Sequence, residues 1–198
     1  AGGAEVEVEV ESEQYKTLLE EARNADLEEL RNLELCDVSG EDADGRPLVV
    51  IYGKRLRPSE MDMKRVMLYF VDILDEVTRE PYTVIYFNSK VAYANLPGLS
   101  WLIGGYRTVP RRYKKNLTKF SIVHPSLATR ALAYSCYPFF SQKAWEKVHF
   151  ADHVDELHLD KIIEEGSIQI PEEAEQYQQE MELYVKQTND ALSKGFVR

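Results

Sequence analysis

Two short runs, YTVIYFN at 82–88 and FSIVH at 120–124, are apolar at almost every position and rich in β-branched and aromatic residues. A strand with no polar alternation needs cover on both faces, which is the mark of a parallel sheet. Parallel neighbours cannot be joined by a tight turn, so helices should separate such runs. The segments between them meet this requirement. SEMDMKRVMLYFVDILDEVTRE places Met63, Val66, Met67, Phe70, Leu74 and Val77 at helical spacing, with Ser59 as the expected N-cap and Asp62 three residues on. LSWLIGGYRTVPRRYKKNL reads as a helix broken near Gly104-Gly105 or at Pro110. PSLATRALAYSCYPFF is a further helix, and KVHF at 147–150 a last short strand. Upstream, Leu18, Leu19, Ala22, Leu27 and Leu30 predict one or two amphipathic helices. LELCDVSGEDADGRPLVVIYG then predicts a strand, a turn at Asp44-Gly45 and a second strand. The expected class is α/β, with a mostly parallel central sheet flanked by helices.

The ends differ from this body. Residues 1–14 are expected to form an unstructured tail, because Glu–Val alternation would set like charges along one strand face. The main domain should span 15–171. Beyond Pro171, Ala174, Tyr177, Met181, Tyr184, Thr188 and Ala191 form a narrow helical seam over 172–198. A helix this polar is not stable alone, so it must dock on the body or on a partner chain.

Charge is distributed unevenly. The 198-residue chain carries −10, yet Pro81 to Trp145 holds no Asp or Glu and nine cations, which leaves −19 on the remainder. Six of the nine fall between Arg107 and Lys119, around RRYKKNL: Arg107, Arg111, Arg112, Lys114, Lys115 and Lys119. Cations after a helix meet its negative end for about 0.3–1 kcal/mol, and one or two would suffice for that. Against anionic lipid, each exposed cation contributes roughly 1 kcal/mol. The cluster therefore predicts a basic patch facing an anionic membrane or an acidic protein. Nucleic acid is not expected as a partner, because the overall pI near 5.0 opposes a polyanion.

No catalytic pattern is present: no G-x-S-x-G, no P-loop, no G-x-G-x-x-G after a strand and no H-E-x-x-H. His124 reads as a strand-end histidine before Pro125. His149 and His153 have the i, i+4 spacing of a helical metal pair and His158 does not join them, but KVHF reads as a strand, so no metal is expected. GEDADG lacks the first Asp and closing Glu of a calcium loop and reads as a turn. Cys36 and Cys136 form neither metal spacing nor a disulfide framework, which fits a cytoplasmic protein. LATRALAYSCYPFF is apolar nearly all round. A helix of that kind is either fully buried or covers an apolar cavity, and Leu132, Tyr134, Phe139, Phe140 and Trp145 are the side chains that would line one.

The blocks GRPLVVIYG, YTVIYFN, LSWLIGGYRTVPRRYKKNLTKFSIVHPS and YPFFSQKAWEKVHF occur in the order of a CRAL-TRIO domain, over about 33–171. The LSWL…RYKKNL…IVHP run resembles the divergent BCH branch found in Rho GTPase-activating proteins. The resemblance implies a CRAL-TRIO-like sheet with an apolar, gate-like helix. It also implies two function classes, neither enzymatic. One is a regulatory scaffold that binds a Rho-family small GTPase, self-associates as a homodimer and modulates a neighbouring GTPase-activating domain. The other is a lipid-binding or lipid-transfer module holding a phosphoinositide-like ligand, with localisation that is peripheral to a membrane. Positions 45–80 correspond to the GTPase-contacting segment, where Lys54, Arg55, Arg57, Lys64 and Arg65 are the cationic candidates. No cofactor is expected apart from a bound lipid in the second class. Homodimerisation would use the C-terminal seam, by exchange of either the late strand or the terminal helix.

Overall fold

A computed structural model describes residues 12–195 except Glu165. The chain runs α1 (Glu13–Asn24), α2 (Glu28–Asn32), β1 (Cys36–Glu41), β2 (Pro47–Tyr52), α3 (Met63–Val77), β3 (Tyr82–Phe87), α4 (Leu99–Thr108) and α5 (Arg111–Lys115). It continues through β4 (Leu117–Val123), α6 (Leu127–Cys136), α7 (Gln142–Trp145), β5 (Val148–Ala151), α8 (Glu156–Leu159) and α9 (Glu172–Gly195). Most of the expected tail, residues 1–11, lies outside the described residues. Its last positions are helical: Ser12 caps α1 by accepting from the Tyr15 amide at 3.2 Å.

The five strands lie in sequence order, β1-β2-β3-β4-β5. β1 is antiparallel to β2, and every later pair is parallel. β3 and β4 are neighbours, with Val84 opposite Phe120 and Ile85 opposite Ser121. This order determines where the helices go. Each crossover advances one strand in the same direction, and a shared hand of crossover places every connecting helix on one face. That face carries Val49, Val84 and Phe120, packed with Tyr15, Leu30, Val66, Tyr69, Trp101 and Tyr113 of α1 to α5. At its far edge, Phe150 of β5 meets Tyr134 of α6, with ring centroids 5.9 Å apart. The opposite face is covered by the chain beyond β5. Leu48, Val50, Ile85, Phe87, Val123 and Ala151 pack against Leu157 of α8, Ile162, Ile163 and Ala174 of α9.

Local chemistry accounts for the boundaries. Asp62, not Ser59, caps α3, because it directly precedes the first helical residue. Its carboxylate accepts from the amides of Lys64 at 2.8 Å and Arg65 at 3.4 Å. The helix after β3 breaks at Pro110, which lacks an amide hydrogen, while Gly104 and Gly105 remain helical inside α4. GEDADG is a turn organised by buried Asp42, which accepts from Asp44 N, Arg46 N, Arg46 Nε and Thr83 Oγ1 at 2.6–3.0 Å. Burial alone would raise the Asp42 carboxyl. The hydrogen bonds from Thr83, Arg46 and Asp44 outweigh it and hold the group below the ordinary carboxylate value. Gly45 supplies the positive φ of 76° that the turn needs.

Candidate functional site

The RRYKKNL cations divide between core and surface. Arg112 turns inward, its side chain 14% exposed, and pairs with Asp75 of α3. Asp75 is 2% exposed, accepts from Tyr15 Oη at 2.7 Å, and lies 3.1 Å from Arg79 Nη2 and 3.6 Å from Arg23 Nη2. Tyr15 and Tyr113 share a hydrogen bond at 2.8 Å, and Tyr82 Oη donates to the Tyr113 carbonyl at 2.7 Å. Burial, followed by the hydrogen bonds to Tyr113 and Asp75, pushes the Tyr15 phenol far above its ordinary value. This network fastens α1 and α5 to α3, so Arg112 serves the core and is removed from any surface patch. Lys114 donates to the Tyr106 carbonyl at 3.1 Å and lies over that ring. Lys119 is half-buried, whereas Arg107, Arg111 and Lys115 are exposed, with Lys143 of α7 exposed as well.

The cations at 54–65 are largely matched by local acids. Arg55 pairs with Glu34 at 3.2 Å, Arg57 with Glu60 at 3.3 Å, Lys64 with Glu21 at 2.9 Å and Arg65 with Glu29 at 3.4 Å. Lys54 is exposed. The segment therefore presents a mixed-charge surface shared by α1, α2 and α3.

α6 is not fully buried. Thr129 and Cys136 are its buried residues, while Leu127 is 87% and Tyr134 58% exposed. Tyr134 packs on Trp145 at 5.4 Å between centroids, Phe140 stacks on Tyr106 at 4.2 Å, and Arg107 lies over Phe139 at 5.8 Å. Leu132 is half-buried. The five residues expected around a cavity thus form a largely aromatic ridge, partly exposed, with Arg107 against it and Lys143 exposed on α7.

A cleft of about 650 Å³ lies elsewhere, between α9 and the loops leaving β4 and β5. None of the five ridge residues lines it. His124 and Tyr177 do, with rings 4.8 Å apart. His124 has a left-handed backbone with φ 53° and is 4% exposed. Its Nδ1 meets Ser89 Oγ at 2.7 Å and its carbonyl accepts from Asn88 Nδ2 at 2.9 Å, while Asn88 in turn accepts from Thr129 at 2.8 Å. Burial, ahead of every nearby charge, lowers the imidazole pKa. The sequence marks His124 only as a strand-end residue, because neither its left-handed backbone nor its buried support is encoded locally. Ser89 is itself buried behind the ring, so the pair does not offer a nucleophile to the cleft. Among the described residues, no group of three or more His, Cys, Asp or Glu could hold a metal ion, and no helix is long and apolar enough to cross a membrane.

The divergent CRAL/TRIO domain matches residues 45–180, from the turn before β2 into α9. The chain belongs to this family. The solved structure of Sfh5 shares the fold, with a TM-score of 0.56 over 73% of this chain and 58% of Sfh5 at 12% identity. A GDAP2 homolog of Drosophila melanogaster is 33% identical over 159 residues, 80% of this chain and 29% of that protein. Rho GTPase-activating protein gacY of Dictyostelium discoideum is 33% identical over 73% of the chain and 20% of its own length. Human Rho GTPase-activating protein 1 is 32% identical over 63% of the chain and 28% of its length. The chain therefore spans less than a third of the length of each of these three curated relatives.

Proposed function

We propose that this chain is a regulatory interaction module that binds a Rho-family small GTPase and modulates GTPase activation by a neighbouring domain. The observation that carries this reading is the kinship, at 32–33% identity, with two proteins named as Rho GTPase-activating proteins. The proposed contact surface is the mixed-charge face of α1 to α3 with the segment after β2. Arg55, Arg57, Lys64 and Arg65 are held there in ion pairs, and Lys54 is exposed. Exposed pairs are individually weak, so an acidic partner can displace the local acids at small cost. This gives selectivity and association rate more than raw affinity. No catalysis is proposed for the chain itself. Titration of the purified chain with nucleotide-loaded Rho-family GTPases tests the reading: saturable binding weakened by Arg65→Glu is expected, and no binding in either nucleotide state would overturn it.

A second reading rests on the α6 ridge. Exposed Leu127, Tyr134, Tyr137 and Phe139 beside Arg107 and Lys143 have the chemistry of an anionic lipid surface. Under it, the module docks peripherally on membrane or holds a lipid beneath α6. Self-association is also proposed, through α9, whose residues from Gln179 to Ser193 are exposed and include Met181, Tyr184 and Leu192.

A further inference from the structure

We infer that the cleft between α9 and the carboxyl ends of β4 and β5 is a binding site for a lysine- or arginine-bearing peptide segment of a partner protein. It is distinct from the α1–α3 face and the α6 ridge, and it shares α9 residues such as Met181 with the face proposed for self-association. The anchor is His124. The residue lines the cleft, and its Nε2 is buried without a hydrogen-bond partner. Gln178, the polar neighbour, favours the charged imidazole from close by but makes no hydrogen bond of ordinary geometry to it: its Oε1 accepts from Val154 N at 2.9 Å and its Nε2 donates to Glu182 at 3.2 Å. A buried polar atom left so calls for an explanation.

The tautomer follows from the support. The Ser89 hydroxyl is 1% exposed and meets His124 Nδ1 at 2.7 Å. If Nδ1 carried the proton, the hydroxyl hydrogen would need another buried acceptor. With the hydroxyl donating to Nδ1, Nε2 bears the proton and presents a donor to the cleft. The backbone is fixed too, since Asn88 holds the His124 carbonyl and Thr129 holds Asn88. A left-handed residue locked from two sides, with one unmatched donor in the wall of a cleft of about 650 Å³, is a preorganised anchor for a single acceptor. A main-chain carbonyl is such an acceptor.

The walls define the rest of the guest. Tyr177, Met181 and Val185 recur every four residues on α9 and supply an apolar strip along the cleft. Asp152, Glu182 and Asp190 line it against a single Lys186. Asp152 is paired with Arg130 at 2.6 Å, so Glu182 and Asp190 carry the charge nearest a guest on α9. α9 also bears Glu172, Glu173 and Glu175 in its first turn, while Glu180 is paired with Lys90 at 2.8 Å. This field rejects an anionic segment and favours a cationic one. The guest is therefore extended or helical chain with apolar residues on the strip, a carbonyl on His124 and Lys or Arg toward α9.

Two blocked pentapeptides, acetyl-Leu-Lys-Leu-Arg-Leu-amide and acetyl-Leu-Glu-Leu-Glu-Leu-amide, test this with the whole 15N-labelled chain. The expected result is saturable shifts of the His124 imidazole signals and of the Tyr177–Val185 amides with the cationic peptide alone. His124→Asn keeps a residue that tolerates the left-handed backbone and should weaken binding about tenfold. Val185→Glu, on an exposed helix face, should weaken it as well without touching the core. Absence of shifts with the cationic peptide, equal shifts with both peptides, or unchanged affinity in both variants would overturn the assignment and leave the cleft to solvent.

Discussion

Replacing Asp75 by Ala should be among the most damaging single changes in this fold. The carboxylate is 2% exposed and receives Tyr15 Oη at 2.7 Å, Arg79 Nη2 at 3.1 Å and the Arg112 guanidinium. Tyr15 keeps Tyr113 as a partner at 2.8 Å, and Arg79 is half-exposed and keeps Glu76 at 3.3 Å. Arg112, its side chain only 14% exposed, loses its carboxylate and keeps a neutral acceptor, Tyr15 Oη, at 3.3 Å. Removing one partner of such a buried pair costs about 3–5 kcal/mol, mostly from the charge left behind. For a domain of this size each kcal/mol lowers Tm by roughly 2–4 °C, so a drop of about 6–20 °C is expected. Thermal melts followed by circular dichroism, with urea unfolding for the free energy, supply the measurement. Glu60→Ala is the control: the Arg57–Glu60 pair is 61% and 65% exposed and should contribute within about 1 kcal/mol. Adding Arg112→Met to Asp75→Ala should recover much of the loss, because the buried charge that has lost its carboxylate is removed. Stability of Asp75→Ala within about 1 kcal/mol of wild type, or no recovery in the double variant, would refute the reason given for the position of the basic run.

Other perturbations read different parts of the molecule. Arg107→Gln with Lys143→Gln, both at exposed positions, should leave Tm unchanged and weaken binding to phosphatidylserine vesicles about 30-fold, from about 2 kcal/mol, in a sedimentation assay. His124 is held below its ordinary value of 6.5 by burial. The unfolded chain thus takes up a proton near that pH that the fold resists, and stability present above it declines as pH falls below it. The loss is at most about 1.4 kcal/mol per pH unit, and His124→Asn should remove it from urea midpoints compared between neutral and mildly acidic pH. Truncation after Gln178 removes the exposed run from Gln179 to Ser193, so light scattering across a dilution series should show loss of dimer with unchanged Tm.

The sheet was legible because both-face burial leaves a direct trace. YTVIYFN and FSIVH have no polar alternation, and they are neighbouring parallel strands. Beyond that pairing the strand order was not legible, since apolar runs do not specify which neighbour they take. With it went the placement of every crossover helix on one face. Charge counting found the basic run but could not see that Arg112 points to Asp75, a contact 37 residues distant in sequence. The same limit applies to Arg55 and Arg65, whose acids lie on α2 or just after it. α6 was apolar as read, yet it covers an edge strand and leaves one side to solvent, so composition overstated its burial. His124 was missed as an anchor because its left-handed backbone, its Ser89 support and the facing α9 come from three separate parts of the chain.

Native mass spectrometry of the purified chain, alone and mixed with a Rho-family GTPase, tests the central reading most directly. The expected spectrum is a bare chain near 22.9 kDa or its multiple when alone, and a stoichiometric complex once the GTPase is added. A chain that carries one tightly held lipid and forms no complex with any Rho-family GTPase would contradict that reading and transfer the function to the α6 ridge.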